Sequence, residues 1–116
     1  MMSGSSCLFC RVAKGEIPAE RLEETQEFLA FRDIRPQAPT HVLIIPKLHI
    51  AALRESDESH VALLGRALRL AAKLATKLGL ADGFRVVIND GAAAGQTVFH
   101  LHIHLLGGRP LGWPPG

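Results

Sequence analysis

The sequence predicts an α+β fold in which an antiparallel β-sheet packs against one long helix, with a short helix near the N-terminus. Short apolar and β-branched runs separated by Gly, Pro and Asn turns predict several strands. One stretch, residues 57–78, carries apolar side chains at the three- and four-residue steps of a helix. Strands clustered around a single long helix favour an antiparallel sheet with that helix on one face.

The first part of the chain predicts a short helix and two strands. Residues 8–14 suit a short helix, because Gly15 stops it and Pro18 turns the chain away. Residues 21–24 and 27–32 then follow as two short strands joined by a tight turn. Before this helix, residues 1–6 are expected to form a disordered tail, and residues 7–116 to form one domain.

The middle of the chain predicts the central strand and the long helix. Residues 41–46 (HVLIIP) are apolar on both faces, which is typical of a strand covered on both sides. In the helix over residues 57–78, Ser56 or Asp57 can cap the start and Gly79 can end it. The stripe expected to face inward is Val61, Leu64, Leu68, Ala71, Ala75 and Leu78. The basic stripe, expected to face solvent, is Arg66, Arg69, Lys73 and Lys77.

The last part of the chain predicts two more strands. Residues 84–89 form one, and a loop of small residues, 90–95, leads into a second strand that starts at Val98. Gly107 and Gly108 end that strand, and an extended tail follows.

Composition narrows the class of protein. The chain has 116 residues, of which 47% are hydrophobic and 21% charged, as in an ordinary globular domain. A formal net charge of +2 without a basic run gives no argument for nucleic-acid binding. The apolar runs are too short to cross a membrane, and the first residues lack the pattern of a signal peptide, so we expect a cytoplasmic protein.

Three alternating histidines, His100, His102 and His104, are the most informative feature. On a strand they share one face, and Phe99, Leu101, Ile103 and Leu105 share the other. A merely half-exposed strand would mix other polar residues into the wet face. Several imidazoles on one face suit either metal coordination or acid–base and nucleophilic catalysis. The triplet therefore predicts an active site.

The residues directly before the triplet favour phosphate chemistry. Gly95, Gln96 and Thr97 offer backbone N–H groups, an amide and a hydroxyl, which together can surround an anion. His104 lies two residues beyond His102, so it can reach the same oxygens. A plain loop glycine at position 95 is the alternative interpretation.

Four ordered motifs resemble the histidine triad (HIT) superfamily and its Hint branch, the purine nucleoside phosphoramidases. The first is the triplet in its setting, GQTVFHLHIHLLGGR at residues 95–109. The others are GEIPA at residues 15–19, FRDIRPQAPTH at residues 31–41 and WPPG at residues 113–116. The resemblance runs from about Leu8 to Gly116 and implies a HIT-like fold.

The resemblance implies an adenosine 5′-monophosphoramidase type of hydrolase that uses no catalytic metal. His102 would attack the α-phosphorus and form a nucleotidyl-histidine, which water hydrolyses to release AMP or GMP. The carbonyl of His100 would hold the Nδ1–H of His102 and leave its Nε2 free. The phosphoryl oxygens and the leaving group would be bound by His104, Gln96, Thr97 and Asn89.

The resemblance also implies a nucleoside pocket and a homodimer. Asp33 would hold the ribose hydroxyls, with Phe9, Phe31 and Ile34 around the purine, and Trp113 would approach the partner subunit's site. Taken singly, Asp33 and Asn89 are more typical of turns, and Phe9, Phe31 and Ile34 of a core. The chain departs from the family at Thr97, where the Hint branch usually has serine.

A second motif, Cys7-Leu8-Phe9-Cys10, predicts a zinc site. A redox pair would need a strand before the motif, and two buried thiols remain an alternative. A structural zinc needs two further ligands, for which His49 and His100 are candidates, and bacterial HIT hydrolases with this cysteine pair are similar in using them. His41 is left without a role, and His60 is expected to be solvated.

Two other functions fit the same motifs. One is nucleotidyl transfer, as in the longer galactose-phosphate uridylyltransferase branch, with a sugar phosphate in place of water. The other is a nucleotide-binding scaffold whose catalysis is weak.

Overall fold

The computed structural model describes residues 6–116, and within them it has an α+β architecture of five strands and two α-helices. In chain order these are α1 (Leu8–Ala13), β1 (Arg21–Glu24), β2 (Phe28–Arg32), β3 (Thr40–Pro46), α2 (Val61–Lys77), β4 (Phe84–Val87) and β5 (Ile103–Gly107). The predicted fold class is confirmed. The predicted tail lies, apart from Ser6, outside the described residues.

The sheet is antiparallel throughout, with strand order β1-β2-β3-β5-β4. β3 is the central strand, as its apolar run predicts. Val42 and Ile44 pack with α2 on one face, whereas Leu43 and Ile45 pack with α1 on the other. Both faces of β3 are therefore covered, and the histidines of interest lie on β3, on β5 and in the segment directly before β5.

The buried face of α2 differs from the predicted stripe. Ala71 and Ala75 are buried as expected, together with Ala67, Leu70 and Leu74, but Val61 and Leu68 are 59% and 48% exposed. The helix has more apolar residues than one face needs, and the row with three alanines lets it lie close to the sheet. The basic stripe is exposed as predicted, with Arg66 paired to Glu27 and Lys77 paired to Glu23.

The start of the long helix also differs from the prediction. A 3-10 turn, Glu58–His60, precedes α2, and Asp57 caps that turn by accepting the N–H of Ser59 at 2.8 Å. His60 is not a solvated side chain, because its Nδ1 accepts the N–H of Asp57 at 3.0 Å and completes a capping box. Gly79, with φ of +77°, ends the helix in the predicted left-handed position.

The histidine strand is shorter than predicted, since β5 begins at Ile103 and not at Val98. The ladder with β3 ends at the pair Ile44–Ile103. Further along β3, Pro46 has no N–H to donate, and its carbonyl oxygen accepts instead from His100 Nε2 at 2.7 Å. His100 and His102 therefore precede the strand, and Phe99 is 44% exposed instead of joining the apolar face. β4 likewise ends at Val87, two residues before its predicted end.

Candidate active site and metal centre

The side chains of the three alternating histidines belong to two different clusters of residues. His102 and His104 are adjacent, with ring centroids 5.0 Å apart. His100 is fully buried and turns its Nδ1 towards two cysteines and His49. The run of alternating histidines thus serves two centres.

His102 is held in one orientation by the backbone. Its Nδ1 lies 2.7 Å from the carbonyl oxygen of His100, and a carbonyl only accepts, so the ring proton is on Nδ1. No described group hydrogen-bonds the other nitrogen, Nε2, which carries the lone pair. Burial lowers the pKa of His102, opposed by this hydrogen bond and by the charge of Asp33, so the ring stays neutral near pH 7. A neutral, oriented imidazole with a free Nε2 is suited to act as a nucleophile.

His104 offers a buried polar atom without a protein partner. Its Nε2 is shielded from solvent and, within the described chain, makes no hydrogen bond. Burial and, to a smaller extent, the neighbouring His102 and His41 rings together lower the pKa of His104 to about 4, against the opposing charge of Asp33. A buried polar atom with no partner costs free energy, and such atoms are uncommon unless a ligand satisfies them.

The second centre joins four residues that are distant in sequence. Cys7 caps α1 and Cys10 lies within it, His49 follows β3, and His100 precedes β5. The Nδ1 atom of His100 lies 3.3 Å from Cys7 Sγ, 3.5 Å from Cys10 Sγ and 3.2 Å from His49 Nδ1. All four potential ligand atoms lie within 4.8 Å of one another, and three of the residues are buried.

These distances fit a tetrahedral zinc ion. Zn–S and Zn–N bonds of about 2.3 and 2.0–2.1 Å place neighbouring ligand atoms about 3.3–3.8 Å apart in a tetrahedron, from the N–N to the S–S pair. The donor set of two thiols and two imidazoles is the usual closed, structural one. The Nε2–H of His100 donates to the carbonyl of Pro46, which leaves Nδ1 as the ligand atom. The predicted structural zinc is confirmed, and the cluster of Cys7, Cys10, His49 and His100 supports it as the proposed ligand set.

The loop before the triplet is held by Gln96, which corrects part of the expected anion site. Gln96 is only 3% exposed, and its Oε1 accepts the N–H of Gly91 at 2.8 Å. Its Nε2 donates to the carbonyls of Ala51 and Val98. The amide therefore has no free donor for a phosphoryl oxygen in this conformation, and Gln96 shapes the loop instead. The side chain of Thr97, by contrast, is exposed.

The residues expected around the nucleoside divide into buried and exposed ones. Phe9 and Phe31 are buried with ring centroids 5.6 Å apart, and Phe9 also lies edge-on to His102 at 5.1 Å. Ile34 and Trp113 are 91% and 83% exposed. For these residues, binding of a nucleoside stays a prediction.

The remaining expected site residues are Asp33, Asn89 and Gly95. Asp33 is partly buried and accepts the backbone N–H of Arg35 at 2.8 Å, as a turn former does. Asn89 is half-buried, and Gly95 has φ of +100°, so a side chain there would be strained. A Cβ at Gly95 would lie 3.6 Å from Asn89 Nδ2, so these two residues are neighbours.

One residue of the site, His41, received no role from sequence reasoning. It lies on β3, is 5% exposed, and places its Nε2 2.9 Å from His104 Nδ1 and 3.5 Å from Asp33 Oδ2. The signal that could have found it is the antiparallel pairing of β3 with β5, which puts His41 diagonally opposite His104. That pairing is not visible in the local sequence.

No α-helix within residues 6–116 has the length and apolar content needed to span a bilayer.

Comparison with known proteins agrees with this geometry. Residues 14–111 match the model of the HIT domain. A 14 kDa zinc-binding protein of Zea mays is 49% identical over 99% of this chain and 91% of its own. The adenylylsulfatase HINT1 of Arabidopsis thaliana is 47% identical over 98% of this chain and 79% of its own. The crystal structure of a HIT family hydrolase from Legionella pneumophila Philadelphia 1 superposes with a TM-score of 0.93 and 54% identity, covering 95% of this chain and 99% of that one.

Proposed function

Because this chain belongs to the HIT domain family, we propose that it hydrolyses purine nucleoside phosphoramidates, or related esters and amides of nucleoside monophosphates. The products are AMP or GMP and the released amine or alcohol. The observation that carries the proposal is the 2.7 Å hydrogen bond from His102 Nδ1 to the carbonyl of His100, which leaves Nε2 as a nucleophile. The Arabidopsis relative, named an adenylylsulfatase, supports chemistry at an adenylyl phosphorus.

The reaction proceeds in two displacements at the same phosphorus. In the first, the Nε2 lone pair of His102 forms a bond to the α-phosphorus as the bond to the leaving group breaks, and the leaving amine or alkoxide takes a proton. In the second, water attacks the nucleotidyl-histidine, the N–P bond breaks to return a neutral imidazole, and the proton that the water loses restores the group that protonated the leaving group. The edge of Phe9 beside His102 supports this chemistry by keeping water away from one side of the ring.

The donors around the phosphoryl group come from both sides of the nucleophile. The unpartnered Nε2 of His104 is available to a phosphoryl oxygen, which would satisfy a buried polar atom. The exposed Thr97 hydroxyl is available to the leaving group and would supply its proton. Asp33 is proposed to bind the ribose hydroxyls, and Ile34 one face of the purine.

The zinc ion serves the fold of the site and not the reaction. When bound, it would be held by Cys7, Cys10, His49 and His100 and would tie α1 to the segment that carries His102. A closed shell of four protein ligands leaves no position for substrate. The two thiol ligands must stay reduced, which supports a cytoplasmic location.

We infer that the protein is a homodimer, as its family resemblance implies. An apolar groove of about 180 Å³ opens beside α2 and is lined by residues that include Leu53, Leu64 and Leu68. Leu53 and Leu68 are 37% and 48% exposed, so the groove continues into an apolar surface. A second copy of the chain is the partner that we propose for this surface.

The test is release of AMP from adenosine 5′-phosphoramidate and from adenylyl sulfate, followed by chromatography. We expect turnover by the wild type, none by His102→Ala, and wild-type rates for the matched histidine control His60→Gln. Hydrolysis that survives His102→Ala would remove the nucleophile assignment. AMP binding without turnover would favour a scaffold, and transfer to an added sugar phosphate in preference to water would favour a transferase.

A further inference from the structure

His41 connects the backbone of one loop to the second histidine of the active centre. Its Nδ1 lies 3.0 Å from the backbone nitrogen of Gln37, and its Nε2 lies 2.9 Å from Nδ1 of His104. The ring is 5% exposed, so water does not compete for these contacts. The chain of contacts ends at His104 Nε2, the buried nitrogen without a partner in the described chain.

The direction of each hydrogen bond follows from the first group in this chain. A backbone N–H only donates, so Nδ1 of His41 must accept and the proton of the neutral ring is on Nε2. That Nε2–H then donates to Nδ1 of His104. With its Nδ1 accepting, a neutral His104 carries its own proton on Nε2.

We propose that His41 is a positioning residue that fixes the tautomer of His104, so that a buried Nε2–H donor faces the phosphoryl group of the substrate. The choice of substrate group rests on the proposed function, but the tautomer itself does not. His41 touches neither the reacting atoms nor the nucleophile. It acts through His104, and the backbone of Gln37 acts through His41.

The surrounding charges agree with two neutral rings in the hydrogen-bond chain from Gln37 through His41 to His104, which we call the relay. The carboxylate of Asp33, 3.5 Å from Nε2 of His41, favours a proton on that nitrogen. Among the described residues, the other titratable group that faces the pair is His102, which lies next to His104. Burial lowers the pKa of both His41 and His104, so neither ring carries a second proton near neutral pH.

A metal ion shared by Asp33, His41 and His104 is the competing interpretation, since their ligand atoms also lie close together. Two imidazole nitrogens on one tetrahedral zinc lie about 3.3 Å apart. The observed separation of 2.9 Å is instead the length of an N–H···N hydrogen bond. The described geometry therefore favours the relay.

The first experiment reads the tautomers directly. Long-range ¹H–¹⁵N correlation spectra of the zinc-loaded, substrate-free protein at pH 7.5 separate Nδ1–H from Nε2–H rings. We expect the Nε2–H tautomer for His41 and His104, and the Nδ1–H tautomer for His102. A proton on Nδ1 of His104, or a second zinc ion per chain bound to these rings, would overturn the proposal.

A matched pair of variants then tests the relay. In His41→Gln the side-chain amide reaches the former Nε2 position and can still donate to His104. In His41→Asn the shorter side chain can accept from the Gln37 N–H but cannot reach His104. We expect His41→Asn to give a mixture of His104 tautomers and about a tenfold lower kcat/KM, and His41→Gln to keep the Nε2–H form within about threefold of the wild-type kcat/KM.

The outcomes separate this proposal from the proposed function. An unchanged His104 tautomer in His41→Asn would contradict the relay even if the protein is an active phosphoramidase. The expected spectra in a protein that hydrolyses no phosphoramidate would support the relay and contradict the proposed function. Circular dichroism and zinc content show whether each variant is folded, and the wild-type spectrum tests the proposal without any variant.

Discussion

His100 orients His102 through its backbone and belongs to the zinc tetrad through its side chain. Its carbonyl oxygen lies 2.7 Å from His102 Nδ1, and its own Nδ1 lies 3.3 Å from Cys7 Sγ. One residue therefore connects the metal centre to His102, the proposed nucleophile. Loss of the metal should therefore disturb the orientation of the His102 ring, although the ion makes no direct contact with the substrate.

Removal of zinc should lower both stability and activity. In Cys7→Ser the tetrad loses a thiolate, and the three remaining ligands, of which Cys10 and His100 are buried, lose the ion that compensates their burial. We expect about one zinc per chain in the wild type and much less in the variant. The melting temperature should fall by about 10 °C or more, because the metal ties α1 to the sheet.

The control for zinc removal is His60→Gln, a change to a histidine outside both centres. It should keep the zinc content and the turnover number of the wild type. A Cys7→Ser protein with normal melting temperature and kcat would show that the tetrad does not support the active centre.

The hydroxyl of Thr97 should matter most when the leaving group needs a proton. In Thr97→Val we expect kcat for adenosine 5′-phosphoramidate to fall by about 10²-fold, the usual loss for a general acid. Sulfate leaves without a proton, so turnover of adenylyl sulfate should change little. Thr97→Ser keeps the hydroxyl and should be as fast as the wild type or faster. Equal losses for both substrates in Thr97→Val would contradict a proton-donating role.

Stability should fall on mild acidification. Burial lowers the pKa of His104 to about 4, whereas a histidine in the unfolded chain titrates near 6.5. Above pH 6.5 neither state binds this proton, but between pH 6.5 and 4 the unfolded state binds it and the folded state does not. The free energy of unfolding therefore decreases through this window as the pH falls.

The variant His104→Asn isolates this contribution. Denaturant unfolding at a series of pH values should show a pH slope smaller by up to about one proton than in the wild type. An identical slope in the two proteins would mean that the His104 ring is protonated in the folded state.

The apolar groove beside α2 should carry the dimer contact. Leu68→Glu places a charge on this exposed surface, and burying it against a second copy would be costly. We expect a dimer for the wild type and a monomer for Leu68→Glu by analytical ultracentrifugation. Arg69→Glu, one residue away on the basic stripe, should remain a dimer. A monomeric wild type would contradict the proposal.

Local pattern was enough to predict most of the secondary structure and the zinc ligands. The apolar run over residues 41–46 identifies the central strand, and the cysteine pair with His49 and His100 identifies the metal site. The residues that local reasoning placed wrongly depend on partners far along the chain. The β5 ladder ends early because Pro46 lacks an N–H, and Leu68 is exposed because the sheet selects a different face of α2.

The role of His41 and the loop-holding role of Gln96 were beyond local pattern for the same reason. His41 meets His104 only through the pairing of β3 with β5. Gln96 binds the carbonyl of Ala51, which is 45 residues away. Neither contact has a periodicity that a single sequence could display.

The most direct test of the account is mass spectrometry of the protein trapped during turnover of a guanosine or adenosine phosphoramidate. The protein is denatured rapidly without acid and then digested to peptides. We predict a nucleoside monophosphate bonded to His102 in the wild type and no such peptide in His102→Ala. A nucleotide bonded to another residue, or continued turnover with no bonded nucleotide at any time, would contradict the account.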